Sequence, residues 1–283
     1  MNHAEIIARE LGLKTWQVTE TIKLLDQGNT VPFIARYRKE ATGELDETVL
    51  RTIVDRLEYL RGLAKRQEEV LRLIEEQGKL NDELRAKILE ATRLQEVEDL
   101  YRPYKQKRRT KATVAKEKGL EPLAEYLWSQ PEDAQPEQKA RQFINPELGV
   151  NTVTEALEGA LDIIAEIVSD DAETRKIIRK KTFEQASITA KAKKEERSPY
   201  EMYYAYQEPV RKIPPHRILA LNRGEKEGYL TVRIEIELEH IMPLLEVRYL
   251  KSGPCREFIL KALRDAYKRL IEPSIEREIR AEI

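Results

Sequence analysis

The stretch DETVLRTIVDRLEYLRGLAKRQEEVLRLIEEQ, residues 46–77, decides the class of this fold. Its apolar positions Leu50, Ile53, Leu57, Leu60, Ala64, Leu71 and Ile74 advance in alternating steps of three and four, with Gln67 as the polar interruption. That spacing lines one stripe of an α-helix and does not fit the two-residue repeat of a strand. Asp46 stands where an N-cap accepts the orphan N–H groups of the first turn. At 1.5 Å per residue the helix is roughly 45 Å long, and its heptad-like seam calls for a partner packed along its length.

Helical patterning extends to both sides. In IIARELGLKTWQVTETIKLL, Ala8, Gly12 and Val18 fall at the offsets of a helix-turn-helix, with Lys14, Thr15, Gln17 and Lys23 as the residues a DNA reader would use. A purely structural helical hairpin has the same pattern, and Trp16 and Glu20 on that helix argue for it. VPFIARYRKEAT follows, with Phe33, Ile34 and Tyr37 expected in a core and Arg36, Arg38 and Lys39 outward as a small basic cluster. Beyond residue 77 come DELRAKILEA, with Thr92 expected to cap RLQEVEDLY, then helices near 120–128, 152–169 and from Pro254 onward, the last with a bend expected at Pro273. ASITAKAKK and YLTVRIEIE alternate with period two and read as strands near 186–194 and 229–237. A helix HRILALNRG, stopped by Gly224, lies between them. The expected fold is mostly α, an elongated multi-helix scaffold with a small β element. Its expected divisions are 1–45, 46–185 and 186–283.

Composition agrees. Among 283 residues there are 50 Lys+Arg against 51 Asp+Glu, so net charge alone points to no polyanionic partner. Glycine (11) and aromatics (6%) are scarce, which favours helices over sheets. No apolar run approaches the roughly 20 residues of a membrane span, no secretory h-region opens the chain, and one cysteine suits a cytoplasmic protein. Cys255 opens a helix without a histidine nearby, and His3, His216 and His240 do not have zinc-ligand spacing. Asp170, Asp171 and Glu173 fit a helix start capped at Ser169 or Asp170 better than a metal site. No nucleotide loop, nucleophile elbow or metalloprotease motif occurs. The expectation is no enzyme, no metal and no cofactor.

One tract departs from the charge balance. In EDLYRPYKQKRRTKATVAKEKGL (98–120), eight bases between 101 and 118 face one acid, Glu117. Pro103 should end the preceding helix, so the tract reads as an exposed loop. Arg102, Lys105, Lys107, Arg108, Arg109 and Lys111 are the candidates for phosphate contacts, with Tyr101 and Tyr104 either stacking on bases or bracing the loop. A solvated linker paired with neighbouring acids is the plain alternative. Five neutralised phosphates on a duplex would give a salt slope of roughly −4.5.

GNTVPFIARYRKEATGELDE (28–47), LQEVEDLYRPYKQKRRTKATVAKEKGLEPLA (94–124) and KIPPHRILALNRGEKEG (212–228) closely resemble the bacterial Tex family. These are transcription accessory factors related to the core of a eukaryotic elongation factor. The resemblance covers essentially the whole chain. It implies an N-terminal helical region with a helix-turn-helix, followed by a nuclease-like fold, helix-hairpin-helix repeats and an S1 domain. This chain ends before the nuclease-like fold, within an uncapped helical pattern, and is expected to be the front of a longer protein. The family's nucleic-acid affinity rests largely on the S1 domain, and its members are not established enzymes. The resemblance thus implies a non-enzymatic nucleic-acid-associated factor, with RNA or DNA and transcription proteins as partners. The alternative is a protein scaffold whose helices dock on RNA polymerase or other transcription machinery, with the basic tract meeting an acidic patch.

Overall fold

The computed structural model describes residues 2–194 and 196–283. The fold is mostly α with a small β element, as the periodicities predict. That element is a three-stranded antiparallel sheet, in which the two expected strands are joined by a third, over 205–209, that the periodicities do not predict. By contacts the chain divides into two compact units, Met1–Tyr101 and Arg102–Ile283. The expected divisions after residues 45 and 185 fall inside these units.

The first unit begins with α1 (His3–Leu11) and α2 (Thr15–Asp26), joined through Gly12 in the left-handed conformation. Two short helices follow, α3 (Val31–Tyr37) and α4 (Lys39–Thr42). The long helix, α5 (Glu47–Glu75), is capped by Asp46, whose side chain accepts from Val49 N–H. Its leading half buries Leu50, Ile53 and Leu57 against Ile7, Val18 and Ile34. Farther along, the buried stripe runs through Leu63, Val70 and Ile74, with Ala64 only partly covered. Here α6 (Asp82–Glu90) and α7 (Leu94–Tyr101) complete the unit. The seam expected to need a partner is therefore filled from within. Gln67 is buried, and its Nε2 donates to the carbonyls of Ile88 (2.8 Å) and Ala91 (3.1 Å). The one polar residue of the stripe closes the orphan carbonyl end of α6. Glu96, not Thr92, caps α7, accepting from the N–H groups of Thr92 and Arg93.

In the second unit come α8 (Lys111–Glu117), α9 (Glu121–Ser129), α10 (Pro136–Arg141), α11 (Val153–Asp170) and α12 (Ala172–Gln185). The apolar α11 is its axis, with Ala156, Ala160, Ile163, Ile164 and Val168 all buried. Strands β1 (Ser187–Ala192), β2 (Ala205–Pro209) and β3 (Leu230–Glu235) form a sheet in the order β2-β1-β3. Ile188 faces Ile234 and Ala190 faces Val232 across the β1–β3 pair. Between β2 and β3, α13 (Pro215–Lys226) runs through Gly224 instead of stopping there. A Cβ on Gly224 would stand 2.7 Å from Leu230 Cδ1, so this glycine serves a close approach, and Gly228 takes the left-handed turn at φ +80°. The chain closes with α14 (Met242–Tyr249), α15 (Arg256–Asp265), a π-turn at Ala266–Ile271 and α16 (Glu272–Glu282). The bend expected at Pro273 is this π-turn, one turn earlier, because proline cannot donate back to the preceding carbonyls.

Two polar arrangements tie the helices and sheet of this unit together. Arg175 on α12 is fully buried and ion-pairs with Glu278 on α16, which also takes Arg179 Nη2 at 2.8 Å. On the outer side of β3, Val232 N–H donates to Glu225 Oε1 (3.3 Å) and Ile234 N–H to Glu276 Oε1 (3.1 Å). Arg280 Nη1 donates to the carbonyl of Val232 at 3.3 Å.

Candidate nucleic-acid interface

The basic tract is less of a loop than its sequence suggests. Pro103 turns the chain after α7 into a 3-10 turn at Arg102–Tyr104, and the irregular stretch is only 105–110. Thr110 then caps α8 by accepting from Thr113 N–H at 3.0 Å. Ala112 and Ala115 bury one side of α8, leaving Lys111 and Lys116 exposed. Residues 111–117 are thus helical, which corrects the expectation of a loop from 101 to 118.

The cations of the tract fall into two groups. Lys107 Nζ ion-pairs with Asp170 and lies 3.5 Å from Glu166 Oε1. Arg102 Nε lies 3.3 Å from Asp170 Oδ1. Asp170 is the last residue of α11, where the partial negative charge of the helix end adds to the attraction. Burial pushes the Asp170 carboxyl above its ordinary value, against the pull of Lys107 and Arg102. These two bases therefore fasten the tract to the fold. Arg109 pairs with Glu117 at 2.9 Å in full view of solvent, a contact that is easily exchanged. Lys105, Arg108 and Lys111 are exposed and make no ion pair among the described residues.

The tyrosines separate as well. Tyr101 is buried in the first unit, its ring under the Arg66 guanidinium at 5.5 Å, with Arg66 held by Glu98 at 2.6 Å. It braces its helix and has no face to offer a base. Tyr104, in the second unit, is half-buried.

The smaller cluster in the first unit holds a surprise. Ile34 and Ala35 are buried, yet Phe33 is 37% and Tyr37 66% exposed, contrary to the expectation that both aromatics face the core. Their ring centroids are 5.3 Å apart. The Arg38 guanidinium lies 5.4 Å from the Phe33 centroid, and Arg36 and Lys39 are exposed beside it. A run of basic residues interleaved with aromatics was the signal for this pair. A helix of two turns leaves the direction of its apolar side ambiguous, so that signal alone does not say which way the rings face. Among the residues a helix-turn-helix would use, Gln17 is spent inside the fold: its Nε2 donates to the carbonyls of Thr42 (3.3 Å) and Gly43 (3.2 Å). Lys23 pairs with Glu20 at 3.5 Å. Among the described residues no helix is long and apolar enough to cross a membrane, and no group of three His, Cys, Asp or Glu is placed to hold a metal.

Comparison with known proteins gives the family. Residues 1–75 match the model described as Tex-like protein N-terminal domain, and residues 131–283 the one described as Tex central region-like. The chain belongs to the Tex family. Among Tex relatives, Uncharacterized protein YdcI of Bacillus subtilis (strain 168) is 53% identical over 98% of this chain and 39% of its own length. Transcriptional accessory protein Tex of Neisseria gonorrhoeae is 46% identical over 84% of this chain and 31% of its own. S1 RNA-binding domain-containing protein 1 of Homo sapiens is 30% identical over 99% of this chain and 30% of its own. The chain thus spans well under half the length of these relatives. Its basic stretch, 105–110, lies between the two Tex segments matched.

Proposed function

We propose that this chain is the N-terminal scaffold of a non-enzymatic Tex-type transcription accessory factor that binds RNA or DNA in the cytoplasm. In that reading it works alongside transcription proteins and the nuclease-like, helix-hairpin-helix and S1 domains that a longer chain would carry. The gonococcal relative is named as a transcriptional accessory protein and the human one as an S1 RNA-binding protein. The observation carrying the reading is the sorting of charge in the second unit. Lys107 and Arg102 anchor the tract on Asp170, while Lys105 and Arg108 are left in solvent without an ion pair among the described residues, and the exposed Lys111 acts on the Asp162 carboxyl only through its charge. Anchored cations give a defined geometry, and unpartnered ones supply the phosphate contacts whose counterion release drives association.

The test is a salt titration with a single strand and a duplex. Changing Lys105, Arg108 and Lys111 to Ala should make the log–log salt slope shallower by roughly 2 for the single strand. An unchanged slope would remove the tract from the interface. The alternative, docking on RNA polymerase or another transcription component through α5 and its flanking helices with the basic tract against an acidic patch, loses the α5 seam, which is occupied inside its own unit.

A further inference from the structure

We propose that the outward edge of α3 is a stacking site for single-stranded nucleic acid, with Tyr37 as its platform and Arg36, Arg38 and Lys39 as its phosphate contacts. The proposal rests on the nucleic-acid reading above and adds to it a form of substrate, unpaired bases, and a second place of contact. Seven consecutive residues, Phe33 to Lys39, hold two aromatics and three bases without an acid. Of these seven only Ile34 and Ala35 are buried; Phe33, Arg36 and Tyr37 are exposed on α3, Arg38 is exposed at its C-cap and Lys39 is exposed at the start of α4.

The chemistry of this edge selects its ligand twice. Arg36, Arg38 and Lys39 have no carboxylate partner among the described residues, which favours a polyanion. The nearest acid in sequence, Glu40, is exposed and makes no ion pair there either. Tyr37 leaves two-thirds of its surface in water, which favours a partner with a flat apolar face. A duplex hides the faces of its bases, whereas a single strand presents them. Arg38 already lies over Phe33; its Nη1 donates to the Tyr37 carbonyl at 3.3 Å, and the other in-plane N–H groups of a guanidinium stacked in that way can meet phosphate oxygens. An i,i+4 aromatic pair supports a short helix only weakly, so helix stability does not account for the exposure.

The experiment uses the 283-residue chain with labelled oligo(U) and oligo(dT) about 15 nucleotides long, and a duplex of matching length. Tyr37→Leu should weaken both single strands about tenfold, leave the salt slope unchanged and leave duplex binding unaltered. Tyr37→Trp should retain affinity, since the indole offers at least as large a stacking face, and Tyr37→Leu and Tyr37→Trp together separate stacking from bulk. Replacing Arg36, Arg38 and Lys39 with Gln should make the single-strand salt slope shallower by roughly 2. Circular dichroism checks folding, and Tyr37 is exposed enough that its replacement disturbs little packing. Equal single-strand affinity for Tyr37→Leu and the parent, with binding lost on changing Lys105, Arg108 and Lys111, would overturn this site and leave the broader reading intact. If the parent chain binds no nucleic acid, both fall. Competition by an oligo-glutamate peptide as strong as by oligo(U) would also overturn stacking, since that polyanion has no bases.

Discussion

Asp171 does two jobs at one junction of the second unit. Its side chain accepts from Thr174 N–H at 2.6 Å to cap α12, and it pairs with Arg248 Nη2 at 3.1 Å. Burial pushes its carboxyl up, but the bonds from Thr174 and the charge of Arg248 outweigh that and leave it below its ordinary 3.8. A depressed carboxylate stabilises the fold fully above the ordinary value and loses that contribution as pH falls through the folded value. Asp171→Asn keeps the cap and removes the charge. It should cost roughly 0.5 kcal/mol at neutral pH, with the gap closing in acid below that ordinary value, as read by urea titrations across pH. The sequence puts Asp170, Asp171 and Glu173 together in one first turn. The structure splits them, because Asp171 adopts an extended backbone at φ −68° and ψ 114° and makes Asp170 the end of α11. One residue of register decides which carboxylate caps and which holds Lys107, and composition has no bearing on it. Phe33 and Tyr37 illustrate the same limit, since hydrophobicity predicts burial only where a helix is long enough for its apolar side to be defined.

Elements were legible in proportion to the length of their periodicity. The α5 stripe and the alternation of β3 carry enough repeats to fix both type and facing. Strand β2, AYQEP, has no apolar alternation and ends in proline, so its pairing to β1 follows only from the sheet around it. The helix crossings were not visible either. On α11, a Cβ at Gly159 would stand 2.3 Å from Leu120 Cδ1 and 3.4 Å from Ala115 Cβ. Gly159→Ala gains about 1 kcal/mol in helix propensity. Leu120 is 1% exposed, so its side chain must shift within a packed core; overpacking should outweigh the gain and leave the protein about 1–2 kcal/mol less stable. The measurement is the urea midpoint, which should fall with an unchanged slope. A stabilised variant would mean that the helices part to admit the methyl group.

At the scale of the molecule, the expected divisions at 45 and 185 follow changes of periodicity, whereas the contact division at Tyr101 and Arg102 reflects which residues bury one another. Periodicity records how an element faces its core and is silent on which elements share it. The first unit has an apolar core of its own, built from Ile7, Val18, Ile34, Leu50, Ile53 and Leu57. Residues 1–101 expressed alone should therefore give a helical circular dichroism spectrum and one cooperative thermal transition. A gradual, non-cooperative loss of signal would contradict that.

The bonds that Glu225, Glu276 and Arg280 make along the far side of β3 bear on how copies of this protein meet one another. A sheet margin with a free ladder of donors and acceptors recruits strands from neighbouring molecules and seeds aggregation. Here the N–H and carbonyl of Val232 and the N–H of Ile234 are already engaged by side chains from two helices, which removes three of the groups a recruited strand would use. On that side hydrogen-bond geometry thus adds to charge repulsion in disfavouring association between copies.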